Sequence, residues 1–377
     1  MFTERLEFPT ALTFLVSPHK RHSTATHQLN PFSTVLFQAI FSYLQQRKSS
    51  QNMESQIDFF EWLEPDVALK ILTCLDDAAD LVRASSVSRY WQNIVVSNGL
   101  SKKLCMRTFP QLATITRVVE PSHDNSRETE RDHRVYASLS RAFTTFPLAN
   151  CIANPVSASS SDRYPAESII NTMVPMNSFL RRGSYWSSRG SDDPETPETL
   201  VYNLTASFCV ITEINLHPFQ DLYDPGFPVY SSGFVRFRMG HPKSWRELNY
   251  DFIEAQECAD DKFIWTYTSP VYPVAQENLL QRFKLPEPVV CIGGYLQIEL
   301  LGRVQKACDD KYYICVAHVQ AMGRKLSPAF SVEFSEPPND VSLKYDAKEF
   351  GSLLSTGGSV SRAKPSLRIA KKSGVLG

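Results

Sequence analysis

What the sequence lacks narrows what it can be. Among its eight cysteines (Cys74, Cys105, Cys151, Cys209, Cys258, Cys291, Cys308, Cys315) there is no Cys-x-x-Cys pair. Scattered singly among apolar neighbours, they read as reduced core thiols, which excludes a disulfide framework and a zinc site. The eight histidines fit no metal or triad spacing, and no nucleophile–base pair stands out. The sequence therefore implies no metal, no cofactor and no catalytic residue. An excess of one charge is also missing. A formal net charge of −1 excludes a global attraction to nucleic acid or to an anionic membrane. No segment approaches the roughly twenty apolar residues of a spanning helix. The leading FPTALTFLV (8–16) fails as a secretory signal: Glu4 and Arg5 precede it, Pro9 interrupts it, and no small-residue cleavage site follows.

What is there is an ordinary globular composition, 42% apolar and 21% charged over 377 residues, enough chain for about two domains. Residues 1–55 are polar and irregular and read as a weakly ordered extension, with Met53 a possible alternative start. Residues 57–112 are dense in helical pattern. Residues 113–150 form a connector, in which charged PSHDNSRETERDHR (121–134) precedes a helix carrying Val135, Leu139 and Phe143 on one stripe. From 151 to 335 the period changes to two. Val235, Phe237 and Met239 alternate with Arg236 and Arg238, and Leu296, Ile298 and Leu300 alternate with Gln297 and Glu299. KFIWTYT (262–268) and YYICVAHVQA (312–321), apolar on both faces, read as central strands. DPGFP (224–228), LPEP (285–288) and IGG (292–294) punctuate the runs, a spacing that favours an all-β sandwich over βαβ units. About 180 residues give that sandwich a core of its own. Residues 336–377, including RAKPSLRIAKK (362–372), read as a flexible basic tail.

The helical zone raises the question of function. Pro65 suits a first helical turn and Asp66 its positive end. Val67, Leu69, Ile71, Leu72 and Leu75 follow, and Asp80 is read as the N-cap of a second helix carrying Leu81, Val82, Ala84, Val87, Trp91, Ile94 and Val95, which Gly99 ends. Helices this short cannot enclose every one of these side chains. Each one left in water forgoes about 1.5–3 kcal/mol of burial, so the expectation is a bare apolar patch that marks a partner surface.

The same residues resemble an F-box: a leading Leu with a nearby Pro, then Ile71-Leu72, Leu75 and Asp80-Leu81. The close is Ser85-Ser86-Val87-Ser88-Arg89-Tyr90-Trp91, with Leu104-Cys105 and Phe109-Pro110 trailing. One departure is Leu63-Glu64-Pro65, which moves the proline one position from the usual Leu-Pro. The resemblance implies a helical module that docks on the SKP-type adaptor of a cullin-RING ubiquitin ligase. Leu63, Pro65, Leu69, Ile71, Leu72 and Leu75 would form the first docking helix. Leu81, Val87 and Trp91 would supply the second half of the surface or the core behind it.

In the β zone, Ala158-Ser159-Ser160, the Pro165–Ile169 turn, Tyr185-Trp186-Ser187-Ser188 and Val210–Ile214 resemble the galactose-binding-like, discoidin-type jelly roll. That resemblance implies ligands met by loops at one end of a sandwich, and it does not name the ligand. Trp186, Arg189 and Arg236 are the candidate target-binding residues, an aromatic plate and two guanidinium groups. The paired acids of ADDK (259–262) and Asp309-Asp310-Lys311 read as polar turns in preference to calcium ligands or an acid–base pair.

The expected fold is multidomain: a small all-α F-box module followed by an all-β jelly-roll sandwich. The two resemblances together match a plant-type F-box protein. The expected role is a non-catalytic receptor that joins a protein target to the adaptor and, through it, to cullin and RING subunits in cytoplasm or nucleus. The alternative is a carbohydrate- or lipid-binding sandwich with the helices as a structural cap.

Overall fold

Pro65 stands at the start of helix α1 (Pro65–Thr73), where the missing N–H has no partner to lose. In the computed structural model residues 60, 63–121, 127–174, 184–244, 259–335 and 340–356 are described. The expected extension, Met53 and the basic stretch at 362–372 lie outside them. Three more short helices follow: α2 (Ala78–Ser85), α3 (Arg89–Ser97) and α4 (Leu100–Thr108). The single helix expected between Asp80 and Gly99 is thus two. Asp77, not Asp80, caps α2 by accepting from the Ala79 N–H at 2.8 Å, and Ser88 caps α3 by accepting from the Trp91 N–H. Asp80 sits in the first turn of α2 and pairs with Arg83.

Strand β1 (Ile115–Val119) and the long helix α5 (Glu128–Thr145) come next, and Val135, Leu139 and Phe143 are buried on one stripe of α5. The charged connector is therefore partly helical, since Glu128 to Arg134 form the first turns of α5. Then come β2 (Ile152–Ala158), β3 (Glu198–Leu204), β4 (Phe208–Gln220), β5 (Ser232–Pro242), β6 (Phe263–Thr268), β7 (Gln281–Ile292), β8 (Tyr295–Arg303) and β9 (Cys315–Lys325). The chain closes with β10 (Phe330–Phe334), β11 (Val341–Tyr345) and helix α6 (Ala347–Thr356).

Two antiparallel sheets form the sandwich. One runs β5-β8-β3-β2, with Tyr272–Pro273 and β6 both pairing β5; the other runs β7-β4-β9 and ends on Ala149–Asn150. The alternation read in the sequence holds: Val235, Phe237, Met239, Leu296, Ile298 and Leu300 are all fully buried between the sheets. β6 is an edge strand and not the central one that its two apolar faces suggested. β9 is central, between β4 and Ala149–Asn150. The tight connection from β7 in one sheet to β8 in the other turns on Gly293 and Gly294, both at positive φ (105° and 77°), where a side chain would be strained.

A third layer covers the second sheet. β1 pairs in parallel with β11, and β11 pairs antiparallel with β10, so residues 341–356 are an ordered strand and helix, contrary to the tail expected from residue 336. This small sheet and α5 share one core with Cys105 and Phe109 of α4's end and with Phe208, Val210, Val290 and Ile292 of the sandwich. Arg134 of α5 donates to the buried Glu120 at 2.7 Å, and Tyr345 of β11 donates to Ser138 of α5 at 3.1 Å. The described residues from 60 to 356 consequently belong to one compact unit, in which helices and sandwich are joined by packing and not by a loose connector.

The thiols also depart from the sequence reading. Cys105, Cys151, Cys209, Cys291 and Cys315 are buried, whereas Cys74 and Cys308 are exposed. Burial pushes the Cys105 and Cys315 thiols up to about 12, so both are inert neutral groups at physiological pH.

Candidate functional site

Helix α1 divides its apolar residues between two faces. Ala68, Leu72 and, just past the helix end, Leu75 point into the chain's own core. Val67 and Ile71, four apart, lie on an adjoining stripe about 100° round the helix, and Leu63 stands two residues ahead of it; Val67 is 44% exposed, and Leu63 and Ile71 are half-buried. Leu69 is half-buried and Pro65 is exposed. Val82 adds a second outward valine on α2, at 43% exposure.

Of the nine residues expected to form the adaptor surface or the core behind it, five point inward: Leu72 and Leu75, expected on the docking helix, and Leu81, Val87 and Trp91, for which the core was one of the two alternatives. All five are buried, and the Trp91 indole stacks on Phe60 with ring centroids 3.8 Å apart. The helices enclose these side chains because α3 and α4 fold back over α1. Arg107 of α4 fixes that arrangement: its guanidinium donates to the carbonyls of Thr73 and Leu75 at 3.0 and 2.9 Å and to Asp76 at 2.8 Å, satisfying the last carbonyls of α1. The apolar face left to solvent is smaller than the sequence suggested and uses Val67 and Val82, which the expected set omitted.

The three candidate target residues do not converge. Trp186 is fully buried, its indole N–H donating to the Ser160 carbonyl at 2.9 Å, so it anchors the sandwich core and is not an exposed plate. Arg189 is exposed on a loop, and its own N–H donates to Ser160 Oγ. Arg236 lies mid-strand on β5, paired with Glu299 of β8, to which Arg238 also donates at 3.0 Å. No shared binding face results.

Two features of the sandwich's loop end were missed. Arg303 is buried and donates to Glu198 at 2.5 Å and to the carbonyls of Arg189, Thr196 and Tyr312 at 2.6–3.0 Å. Ser159 and Ser160 donate to the same Glu198 carboxylate. This knot ties three loops together. Beside it stand the loops 221–231 and 269–280, where Leu222 (60%), Tyr223 (84%), Phe227 (57%) and Leu279 (50%) are exposed. Phe227 adopts φ 52°, a left-handed conformation that costs a bulky residue about 1–3 kcal/mol. Part of the signal is present in the sequence: DPGFP, read as a turn, places Phe227 between two prolines. Among the described residues no group of three or more potential ligands is placed to hold a metal, and Ala259–Lys262 is a single helical turn.

The F-box-like family matches residues 65–107, the helices whose two faces are described above. The F-box protein At4g00755 of Arabidopsis thaliana is 43% identical over 309 residues, which cover 76% of this chain and 82% of that one. The chain belongs to the F-box protein family. In solved structures, a family 32 carbohydrate-binding module of Clostridium perfringens NanJ, in complex with galactose, aligns with 48% of this chain and 96% of its own, at 11% identity and a TM-score of 0.28. Allantoicase of Saccharomyces cerevisiae aligns with 52% of this chain and 54% of its own, at 11% identity and a TM-score of 0.32. No ligand or activity of either passes to this chain at such similarity.

Proposed function

We propose that this chain is the substrate receptor of an SCF-type cullin-RING ubiquitin ligase, docking an SKP-type adaptor through α1 and α2 and a protein target through the sandwich. The observation that carries the reading is the outward apolar patch of Val67 and Ile71, with Leu63, Pro65, Leu69 and Val82, on an F-box that encloses Leu72, Leu75, Leu81, Val87 and Trp91. Such a patch is stable in water only at low cost per residue, and it gains burial when a partner covers it. The chain performs no chemistry in this role. It holds a target near the conjugating enzyme and so raises the effective concentration of target lysines. The packed layer between helices and sandwich supports this use, because a rigid join fixes where the target sits relative to the ligase.

The burial pattern dictates how the reading is tested. Substituting Leu72 or Trp91 removes core residues and unfolds the module whatever its partner. Val67→Asp with Ile71→Asp changes only the outward stripe. Co-elution of the full chain with a purified SKP-type adaptor is expected for the wild type and lost in this double variant, whose circular dichroism and melting temperature stay near wild type. Equal co-elution of both forms would show that the adaptor docks elsewhere, and co-elution of neither that it does not dock at all.

A further inference from the structure

The loops 221–231 and 269–280 are built as one surface. Gln220, at the end of β4, donates to the Phe227 carbonyl at 2.9 Å and accepts from Asn278 at 3.0 Å, which joins the two loops side by side. His217 and Asn278 are in contact at 3.0 Å, and Gln276 donates to the Ser232 carbonyl at 3.1 Å. Leu222, Phe227 and Leu279 project from this frame into solvent, along with Tyr223. Exposed apolar residues grouped on adjoining loops mark a partner surface. Phe227 sits at positive φ, where glycine would serve the turn without strain, so the loop retains a ring at this position against its backbone preference.

The charge of the same loops says what kind of partner fits. Residues 221–231 and 269–280 contain Asp221, Asp224 and Glu277 and no lysine, arginine or histidine. An anionic lipid surface or a nucleic acid is repelled by such a face, and a neutral sugar carries no charge to complement it. A cationic and apolar protein segment gains from both features.

We propose that this loop pair is the target-docking surface and that it binds protein segments in which Lys or Arg flank aromatic or aliphatic side chains. The inference rests on the reading of the chain as a ligase receptor and adds the place and the chemistry of target recognition. The site is well separated from the adaptor face. β4 enters the shared core at Phe208 and ends at Gln220, and at 3.2–3.4 Å per residue that span is about 40 Å.

The test is selection of a random phage-displayed peptide library on the full chain, alone and bound to an SKP-type adaptor. Enriched peptides are expected to combine Lys or Arg with aromatic or aliphatic residues, and their affinity to fall as salt rises. Leu279→Ser and Glu277→Lys are each expected to weaken binding of an enriched peptide by about tenfold or more, the range of a central interface residue. Phe227→Gly separates folding from recognition: it relieves the positive φ, so binding falls while the melting temperature does not. Leu148→Ser, an exposed apolar residue ahead of the sandwich, leaves binding unchanged. Enrichment of acidic peptides, peptide binding indifferent to these loop variants, or binding instead to phosphatidylserine vesicles or a neutral glycan array each overturns the proposal. Adaptor co-elution in the same samples separates the two failures. If the adaptor binds and the peptide result fails, only the target surface is wrong; if the adaptor does not bind, the receptor reading itself falls.

Discussion

Arg303 shows at the scale of one residue how the loop end is held. A guanidinium buried in the sandwich is tolerable only because each of its three nitrogens meets an acceptor, Glu198 among them. Arg303→Met leaves the Glu198 carboxylate buried with two serines and no cation, and is expected to cost about 3–5 kcal/mol in urea unfolding; a loss below about 1 kcal/mol would contradict the knot's role. Two histidines set a pH dependence. Burial lowers the pKa of His318, whose Nδ1 contacts the Thr172 carbonyl at 2.7 Å. Burial, and then the charge of Arg134, lower that of His133, which contacts Ser101. The fold thus favours neutral imidazoles, and the unfolded chain binds more protons just below about pH 6.5. Their contribution to stability is present above that pH and is lost as pH falls through the lowered folded values. The melting temperature is expected to decline between pH 7.5 and 5.5, and less so in His318→Gln; a flat profile would show that neither group is coupled to folding.

At the scale of elements, much was legible because period-two alternation depends only on which face of a strand meets the core. Val235-Phe237-Met239 and Leu296-Ile298-Leu300 needed no knowledge of their neighbours. The F-box helices were legible as a spaced motif, yet their inner and outer faces were not. Leu72 and Ile71 are adjacent and equally apolar, and only the return of α3 and α4 over α1 decides which is enclosed. β11 was missed for a different reason. Val341, Leu343 and Tyr345 alternate, but their partner β1 lies more than two hundred residues earlier, and the polar residues around them resemble a tail. The third layer therefore could not be inferred, and with it the sandwich's dependence on the helices. A fragment of residues 151–335 leaves Phe208, Val210, Val290 and Ile292 without the α5 and β1 side of their core. It is expected to aggregate or bind a hydrophobic dye, whereas residues 56–377 remain monomeric. A clean, cooperatively folded 151–335 monomer in gel filtration and calorimetry would show the layer to be dispensable.

At the scale of the whole molecule, the described residues from 60 to 356 present two outward apolar faces on one packed body: the stripe of α1 and α2, and the loops beyond Gln220. The first belongs to the module that defines the family, and the second lies at the far end of the sandwich strands. Such an arrangement suits a receptor whose two partners must not compete for the same surface. Hydrogen–deuterium exchange of the full chain with and without an SKP-type adaptor reads both faces at once. Adaptor binding is predicted to slow exchange in residues 63–85 and to leave 221–231 unchanged. Unchanged exchange in 63–85 under saturating adaptor, or protection centred on the loops, would contradict the assignment of the helical stripe as the docking face.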